Sequence, residues 1–108
     1  MSEAQRTPVP LVLAEESRPA LPRHARLHFD KVRGLWVLLA PERVLVPDET
    51  AVEILHQCDG VASIGWIVDG LAEKYAAERA LILGDVIALL QDLADKGFLI
   101  DSRKGGRQ

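Results

Sequence analysis

Two prolines constrain the fold of this chain most, because only one short strand fits between them. Pro41 follows the apolar run Leu35–Ala40, and Pro47 follows the tetrapeptide Arg43–Val46. Proline has no backbone N–H, so in sheets it is confined to edges, first positions and turns. The pattern therefore predicts a short strand at Arg43–Val46 that lies at the edge of a small sheet, where its free N–H and C=O groups can pair with another chain.

The residues before this strand predict the rest of the sheet. Arg23–Asp30 alternates between apolar and polar side chains, which is typical of a half-buried strand. Lys31–Gly34 is rich in turn-forming residues, and Leu35–Ala40 is almost continuously apolar, as expected of a middle strand. We predict a three-stranded antiparallel meander with Leu35–Ala40 at its centre.

Three helices are expected after the sheet. Asp48 is a suitable N-cap for the first helix, which ends at Gly60, and Ser63 can cap a second helix from Ile64 to about Tyr75. A third helix is expected from about Ala80 to Lys96, followed by the extended segment Phe98–Ile100. A three-stranded antiparallel sheet followed by three helices is an α+β fold, and the order of elements is winged helix-turn-helix-like.

The two ends of the chain are predicted to be disordered. Four prolines fall within residues 1–22 and interfere with regular hydrogen bonding, so residues 1–20 are expected to form a tail or a linker. Within this segment, Val9–Leu13 is apolar enough to dock elsewhere on the protein. A folded domain is expected at residues 21–101, and a polar tail at residues 102–108.

Composition argues against several classes of function. A net charge of -3 and a pI near 5.5 give no overall field that would attract nucleic acid or an anionic membrane. The single cysteine, Cys58, allows no intramolecular disulfide, which favours a reducing compartment. The chain has neither an apolar run long enough for a membrane span nor a signal peptide pattern. We therefore expect a cytoplasmic protein.

No catalytic residue, metal site or cofactor is expected. His24 and His28 share the polar face of the first predicted strand, but no carboxylate or cysteine accompanies them at a ligand-like spacing. Cys58 has no neighbouring base in the sequence, and it is interpreted as a small buried residue. Phosphate-binding glycine loops, GxSxG and HExxH are all missing from the sequence. The chain is therefore predicted not to be an enzyme.

The third predicted helix suggests a binding function. Its apolar arc covers roughly 160° of the helix, whereas a surface helix needs about 100°. Its polar side carries Asp85, Asp92 and Asp95, whose carboxylates would repel the phosphates of a nucleic acid. A protein or peptide ligand is therefore favoured. A winged-helix nucleic-acid-binding domain is the alternative, and it would use these basic residues: Arg23, Arg26, Arg103, Lys104 and Arg107.

The stretch Trp36–Gly60, which reads WVLLAPERVLVPDETAVEILHQCDG, resembles the PqqD family, and so does the helix end Lys96–Leu99. The resemblance runs from about Leu21 to Asp101. It implies a non-catalytic peptide chaperone of pyrroloquinoline quinone (PQQ) biosynthesis, the type member of the ribosomal-peptide recognition elements. It further implies that the chain binds the precursor peptide PqqA and presents it to the radical S-adenosylmethionine (SAM) enzyme PqqE. Some family members are joined to PqqC, in which case residues 1–20 would be a linker.

The resemblance also implies where the peptide binds. In the family, the peptide adds as a strand beside the third strand and lies against the third helix. Carried over to this sequence, the peptide-binding residues are Arg43, Val44, Leu45, Val46, Asp85, Leu89, Asp92 and Lys96. The other margin of the helix, with Ile87, Gln91 and Ala94, is the alternative. We expect the first margin, because Leu89 is its least core-like apolar position.

Overall fold

A computed structural model describes residues 11–102 of the chain. It contains five strands and three helices within that range. They are β1 (Pro19–Ala20), β2 (Arg26–Asp30), β3 (Leu35–Ala40), β4 (Arg43–Leu45), α1 (Glu49–His56), α2 (Ile64–Tyr75), α3 (Arg79–Asp95) and β5 (Ile100–Asp101).

The main sheet is an antiparallel meander in the order β2-β3-β4, so the prediction of a central apolar strand is confirmed. Val37 and Leu38, which point to opposite faces of β3, are both buried. β4 ends at Leu45, one residue earlier than predicted, and β2 begins at Arg26 rather than Arg23. At the other edge of β4 no strand is paired within residues 11–102.

The first two helices begin where the capping residues predict them, although α1 ends at His56 and not at Gly60, and α3 has no side-chain cap. The Asp48 carboxylate accepts a hydrogen bond from the Ala51 N–H at 2.8 Å, and the Ser63 hydroxyl accepts one from the Trp66 N–H at 3.1 Å. Each bond satisfies an N–H group that has no partner within its helix. The α+β class and the three-stranded sheet followed by three helices are thus confirmed, whereas the winged-helix comparison stays a prediction. Among residues 11–102, no helix is long and apolar enough to cross a membrane.

One apolar core joins the sheet to the helices. The completely buried large side chains come from β3, α2, α3 and the segment after α3, and they include Leu38, Ile64, Ile67, Val68, Leu90 and Phe98. Phe98 and Leu99 pack back into this core, as the sequence predicts for the residues that follow the third helix. Burial of so many apolar side chains in a small domain is its main source of stability.

Residues 11–20 pack against the rest of the domain, which corrects the prediction of a disordered tail at residues 1–20. β1 pairs with β5 in a second, two-stranded antiparallel sheet, and Leu13 and Ser17 are buried. The Ser102 N–H also donates to the Arg18 carbonyl oxygen at 2.8 Å. Proline disfavours helices and central strands, but it does not prevent an extended segment such as β1 from docking onto other elements. The remainder of the two predicted tails, residues 1–10 and 103–108, lies outside the described residues.

Candidate functional site

The outer edge of β4 has no paired strand in the described part of the chain, and the turn before β4 shows which backbone groups point outward. Pro41 and Glu42 form a two-residue turn in which Glu42 has a φ of 66°, and this fits a type II turn. Such a turn closes with a hydrogen bond between Ala40 and Arg43, which are partners in the β3–β4 register. Hydrogen-bonded and non-bonded pairs alternate along an antiparallel ladder. We infer that the N–H and C=O of Val44 point away from β3.

A cleft of about 250 Å³ lies beside this edge. Its apolar walls are formed by Leu38 and Leu45 of the sheet and by Leu89 and Leu93 of α3. Val46, Pro47, Asp48 and Ala51 complete the lining. Val44 and Val46 beside it are exposed by 61% and 57%, an unusual amount for neighbouring valines at a sheet edge.

One end of the cleft is fixed by a bond between strand and helix. Arg43 Nη1 donates to the carbonyl oxygen of Lys96 at 2.9 Å, and Lys96 Nζ forms an ion pair with Asp92 at 3.0 Å. This arrangement brings the first residue of β4 to the C-terminal end of α3. Arg43, Asp92 and Lys96 from the predicted site therefore lie together at one end, and Leu45, Val46 and Leu89 line the cleft itself.

Asp85 is the predicted site residue that lies apart from the cleft. It lines a separate hollow of about 90 Å³ between the three helices, together with Thr50 and Ile54 of α1. An α-helix rises about 1.5 Å per residue, so Asp85 lies about 6 Å nearer the N-terminus of α3 than Leu89 does. A ligand in the cleft would have to continue past the start of α1 to reach it.

The opposite margin of α3 is covered by the chain itself. We call residues 11–18 the N-terminal strap. The Gln91 side chain donates to the Leu11 carbonyl oxygen at 2.5 Å and accepts from the Leu13 N–H at 3.0 Å. Sequence reasoning missed this contact, although the apolar patch Val9–Leu13 and the amide of Gln91 were signals for it. The alternative margin named above therefore has an occupant at Gln91.

The strap is also held at two further points. The carbonyl oxygens of Glu15 and Ser17 accept from the first N–H groups of α2, those of Gly65 and Ile64, both at 2.9 Å. Arg79 bridges Glu15 and Asp69 with two contacts of 2.5 Å. The hydrogen bond from Arg79 lowers the pKa of Glu15 below its ordinary value. The strap thus spans the starts of α2 and α3.

The positions of Cys58 and Trp66 concern the core and its surface. Cys58 is buried at the end of α1, and burial raises the pKa of its thiol to about 12. Such a thiol is not a nucleophile at neutral pH, which agrees with its interpretation as a small core residue. Trp66 lies in the first turn of α2, and 64% of it is exposed. Helical periodicity places Trp66 beside core residues, but it does not determine how much of the side chain is exposed.

The basic residues of the nucleic-acid alternative do not form a reading surface in the described part of the chain. Arg23 and Arg26 are exposed near β2, and Arg103, Lys104 and Arg107 lie outside residues 11–102. Asp85, Asp92 and Asp95 are exposed on α3, the helix that would enter a groove of DNA. Because these carboxylates carry the same sign as phosphate, the geometry does not favour this alternative.

An open strand edge beside an apolar cleft defines a class of small binding modules that take up an extended segment of another chain. Comparison with known proteins identifies the family. The chain belongs to the PqqD family, because the family model described as coenzyme PQQ synthesis protein D (PqqD) matches residues 36–99. The match includes β3, β4 and all three helices, which are the elements that form the cleft.

Individual relatives agree with this assignment. The chain is 62% identical over 94 residues to a PqqA binding protein of Rhodopseudomonas palustris (strain BisB5), a match that covers 87% of this chain and 92% of the relative. It is 40% identical over 98 residues to the bifunctional coenzyme PQQ synthesis protein C/D of Methylorubrum extorquens, covering 91% of this chain and 26% of that one. The names of these relatives describe a binding role and, in the second case, a fusion.

A solved structure is similar as well. The PqqD truncation of Methylobacterium extorquens PqqCD, determined by solution NMR, superimposes with a TM-score of 0.70 at 40% sequence identity. The match covers 82% of this chain and 94% of that one. That protein is described as a functional, stand-alone recognition element for ribosomally synthesized and post-translationally modified peptides. A recognition element has a non-catalytic binding role.

Proposed function

We propose that this chain binds the precursor peptide PqqA in PQQ biosynthesis, and that the peptide adds as a strand to the outer edge of β4. The ligand is supported by the relatives that are named PqqA binding proteins. The mode of binding is supported by one observation above all: the outward backbone groups of Val44 lie beside an apolar cleft. In strand addition, backbone pairing provides affinity and side-chain pockets provide specificity.

The residues that line the cleft, and those beside it, define the proposed contacts. Backbone pairing would involve Arg43–Val46, and an apolar peptide side chain would enter between Leu45 and Leu89. Asp92 and Lys96 would border the end near Arg43. Asp85 would contact the peptide only if it continued about two residues past Leu89, since an extended chain advances about 3.3 Å per residue.

We further propose that the bound peptide is presented to the radical SAM enzyme PqqE. A peptide held by one edge of its backbone keeps its flanking segments accessible, so a partner can act on them. The bifunctional C/D relative supports an adaptor role, because it joins a domain of this kind to another protein of the same pathway. For this chain, the corresponding partner PqqC would be either a separate protein or a protein joined to it.

The test is an amide NMR titration of the full chain with PqqA. We expect the largest shifts at Val44–Val46 and around Leu89, and slower hydrogen exchange at the Val44 N–H in the complex. Shifts at the exposed side of the α2 start, at Val61 and Trp66, with none at β4, would contradict strand addition. For the second step, modification of PqqA by PqqE should depend on this chain; an equal yield of modified peptide without the chain would contradict presentation.

A further inference from the structure

The N-terminal strap lies on α3 in the manner of a bound peptide. Gln91 follows Leu89 by two positions, so its side chain points to the opposite margin of the helix. There it bonds the carbonyl oxygen of Leu11 and the N–H of Leu13. In an extended segment, these groups of residues i and i+2 point to the same edge. The Gln91 amide therefore makes the two backbone contacts that a neighbouring strand would make.

The apolar contacts of the strap complete this similarity. The Leu13 side chain is only 4% exposed and belongs to the main core cluster, and Leu11 packs against that cluster. Ile87 and Ala94, which share the margin of Gln91, are only partly buried even with the strap in place. If the strap left this margin, apolar surface would be exposed next to an amide that can bond an extended backbone.

We propose that Gln91 is a specificity-determining residue, which confines PqqA to the β4 margin of α3 by holding the strap on the other margin. The inference rests on the proposed function and adds to it. Without the strap, α3 would offer an extended apolar peptide two sites of similar chemistry on opposite margins. With the strap in place, only one of them has both an open edge and an open cleft.

The structure allows this idea to be tested by a local change. The strap is anchored independently at α2, through Glu15 with Gly65 and Ser17 with Ile64, and by β1 pairing with β5. Loss of the Gln91 bonds should therefore release residues 11–13 and leave the rest of the strap attached. Gln91 is only partly buried and is not part of the core cluster, so its substitution removes no core side chain from α3 itself.

The experiment compares Gln91→Ala in the full chain with the wild-type protein and with Ala88→Ser, a change at an exposed position of the same helix. In Gln91→Ala, hydrogen exchange at the Leu13 N–H should become several-fold faster. On titration with PqqA, new amide shifts should appear at Ile87 and Ala94, and binding should no longer fit a single site. Ala88→Ser should behave as the wild-type protein does.

A second variant, Gln91→Glu, keeps the proposal testable if Gln91→Ala is unstable. Gln91→Glu keeps an acceptor for the Leu13 N–H, but it places a carboxylate oxygen where the amide now donates to the Leu11 carbonyl oxygen and to Asp95. Because these oxygens would repel one another, this variant should give the same two changes at least as strongly. The proposal is overturned if either variant speeds exchange at Leu13 while PqqA still shifts only the β4 margin, or if exchange at Leu13 does not change. If PqqA binds the wild-type chain nowhere near β4, the proposed function itself is overturned, and this inference with it.

Discussion

An extended segment borders each margin of α3, and the two segments differ in whether their backbone groups are bonded. On one side, β4 is paired with β3 along one edge, and within residues 11–102 its other edge is open next to the cleft at Leu89. On the other side, the strap has backbone groups bonded to Gln91 and to the first turn of α2. Helix positions two residues apart therefore have different roles: leucine can only provide apolar contact, whereas an amide can bind a backbone.

The strongest test of this comparison is removal of the outward N–H of Val44. Val44→Pro should weaken PqqA binding by about 2 kcal/mol, roughly thirtyfold, because proline lacks the donor and fixes φ. Binding is measured by isothermal titration calorimetry. Val44→Thr is the matched control, since threonine keeps the N–H and the branched β-carbon. Equal affinity for the proline variant and the wild-type chain would mean that β4 is not the docking edge.

The apolar wall of the cleft should matter next. Leu89→Ala removes side-chain surface that lines the cleft and is partly exposed in the free chain. We expect PqqA affinity to fall by about 1 kcal/mol, close to fivefold, with little loss of stability. Leu81→Ala is a suitable control because Leu81 lies on the same helix and is 66% exposed. If both variants lose affinity equally, the cleft has no special role.

On the strap side, the expected effects concern stability rather than binding. Ser17 is completely buried, and its hydroxyl accepts a hydrogen bond from the Ala14 N–H at 2.9 Å. Ser17→Ala leaves that N–H without its partner, which should lower the free energy of unfolding by about 1 kcal/mol. Urea denaturation would measure the change. An unchanged midpoint would show that the strap is not coupled to the folded core.

The smallest effect is expected at the ion pair of Glu15 with Arg79. Bonding to Arg79 lowers the pKa of Glu15 below its ordinary value of 4.5, so the pair stabilises the fold above that pH and is lost as the pH falls further. Glu15→Gln should therefore be slightly less stable than wild type at neutral pH, and the difference should shrink below about pH 4.5. Thermal denaturation at a series of pH values tests this. A difference that is constant with pH would exclude the ion pair as its cause.

Sequence reasoning succeeded where local signals determine structure. The prolines at 41 and 47 delimit β4, and the caps Asp48 and Ser63 begin two helices at the positions observed. These features depend on residues that are neighbours along the chain. The open edge of β4 could be predicted for the same reason, because a proline-bounded strand at the end of a meander has only one partner.

The strap could not be predicted in the same way. Its contacts join residues about 80 positions apart, such as Leu13 and Gln91. Its local composition correctly indicates irregular structure, but composition does not show what an irregular segment packs against. Gly65 is a partial signal, because a β-carbon there would come within 3.0 Å of the Glu15 carboxylate. A glycine in the first turn of a helix can thus mark the approach of another segment.

The pairing of β1 with β5 has a consequence for how the molecule is made. The strap is synthesised before Gln91 and Asp101, which hold Leu13 and the Arg18 N–H and come about 80 residues later. At 5–20 residues per second, this delay is roughly 4–16 s. In a nascent chain, residues 11–13 therefore lack the Gln91 amide that holds them until α3 is complete. We expect protection of the Leu13 amide to be among the last events in refolding, a sequence that pulse-labelling by hydrogen exchange can follow.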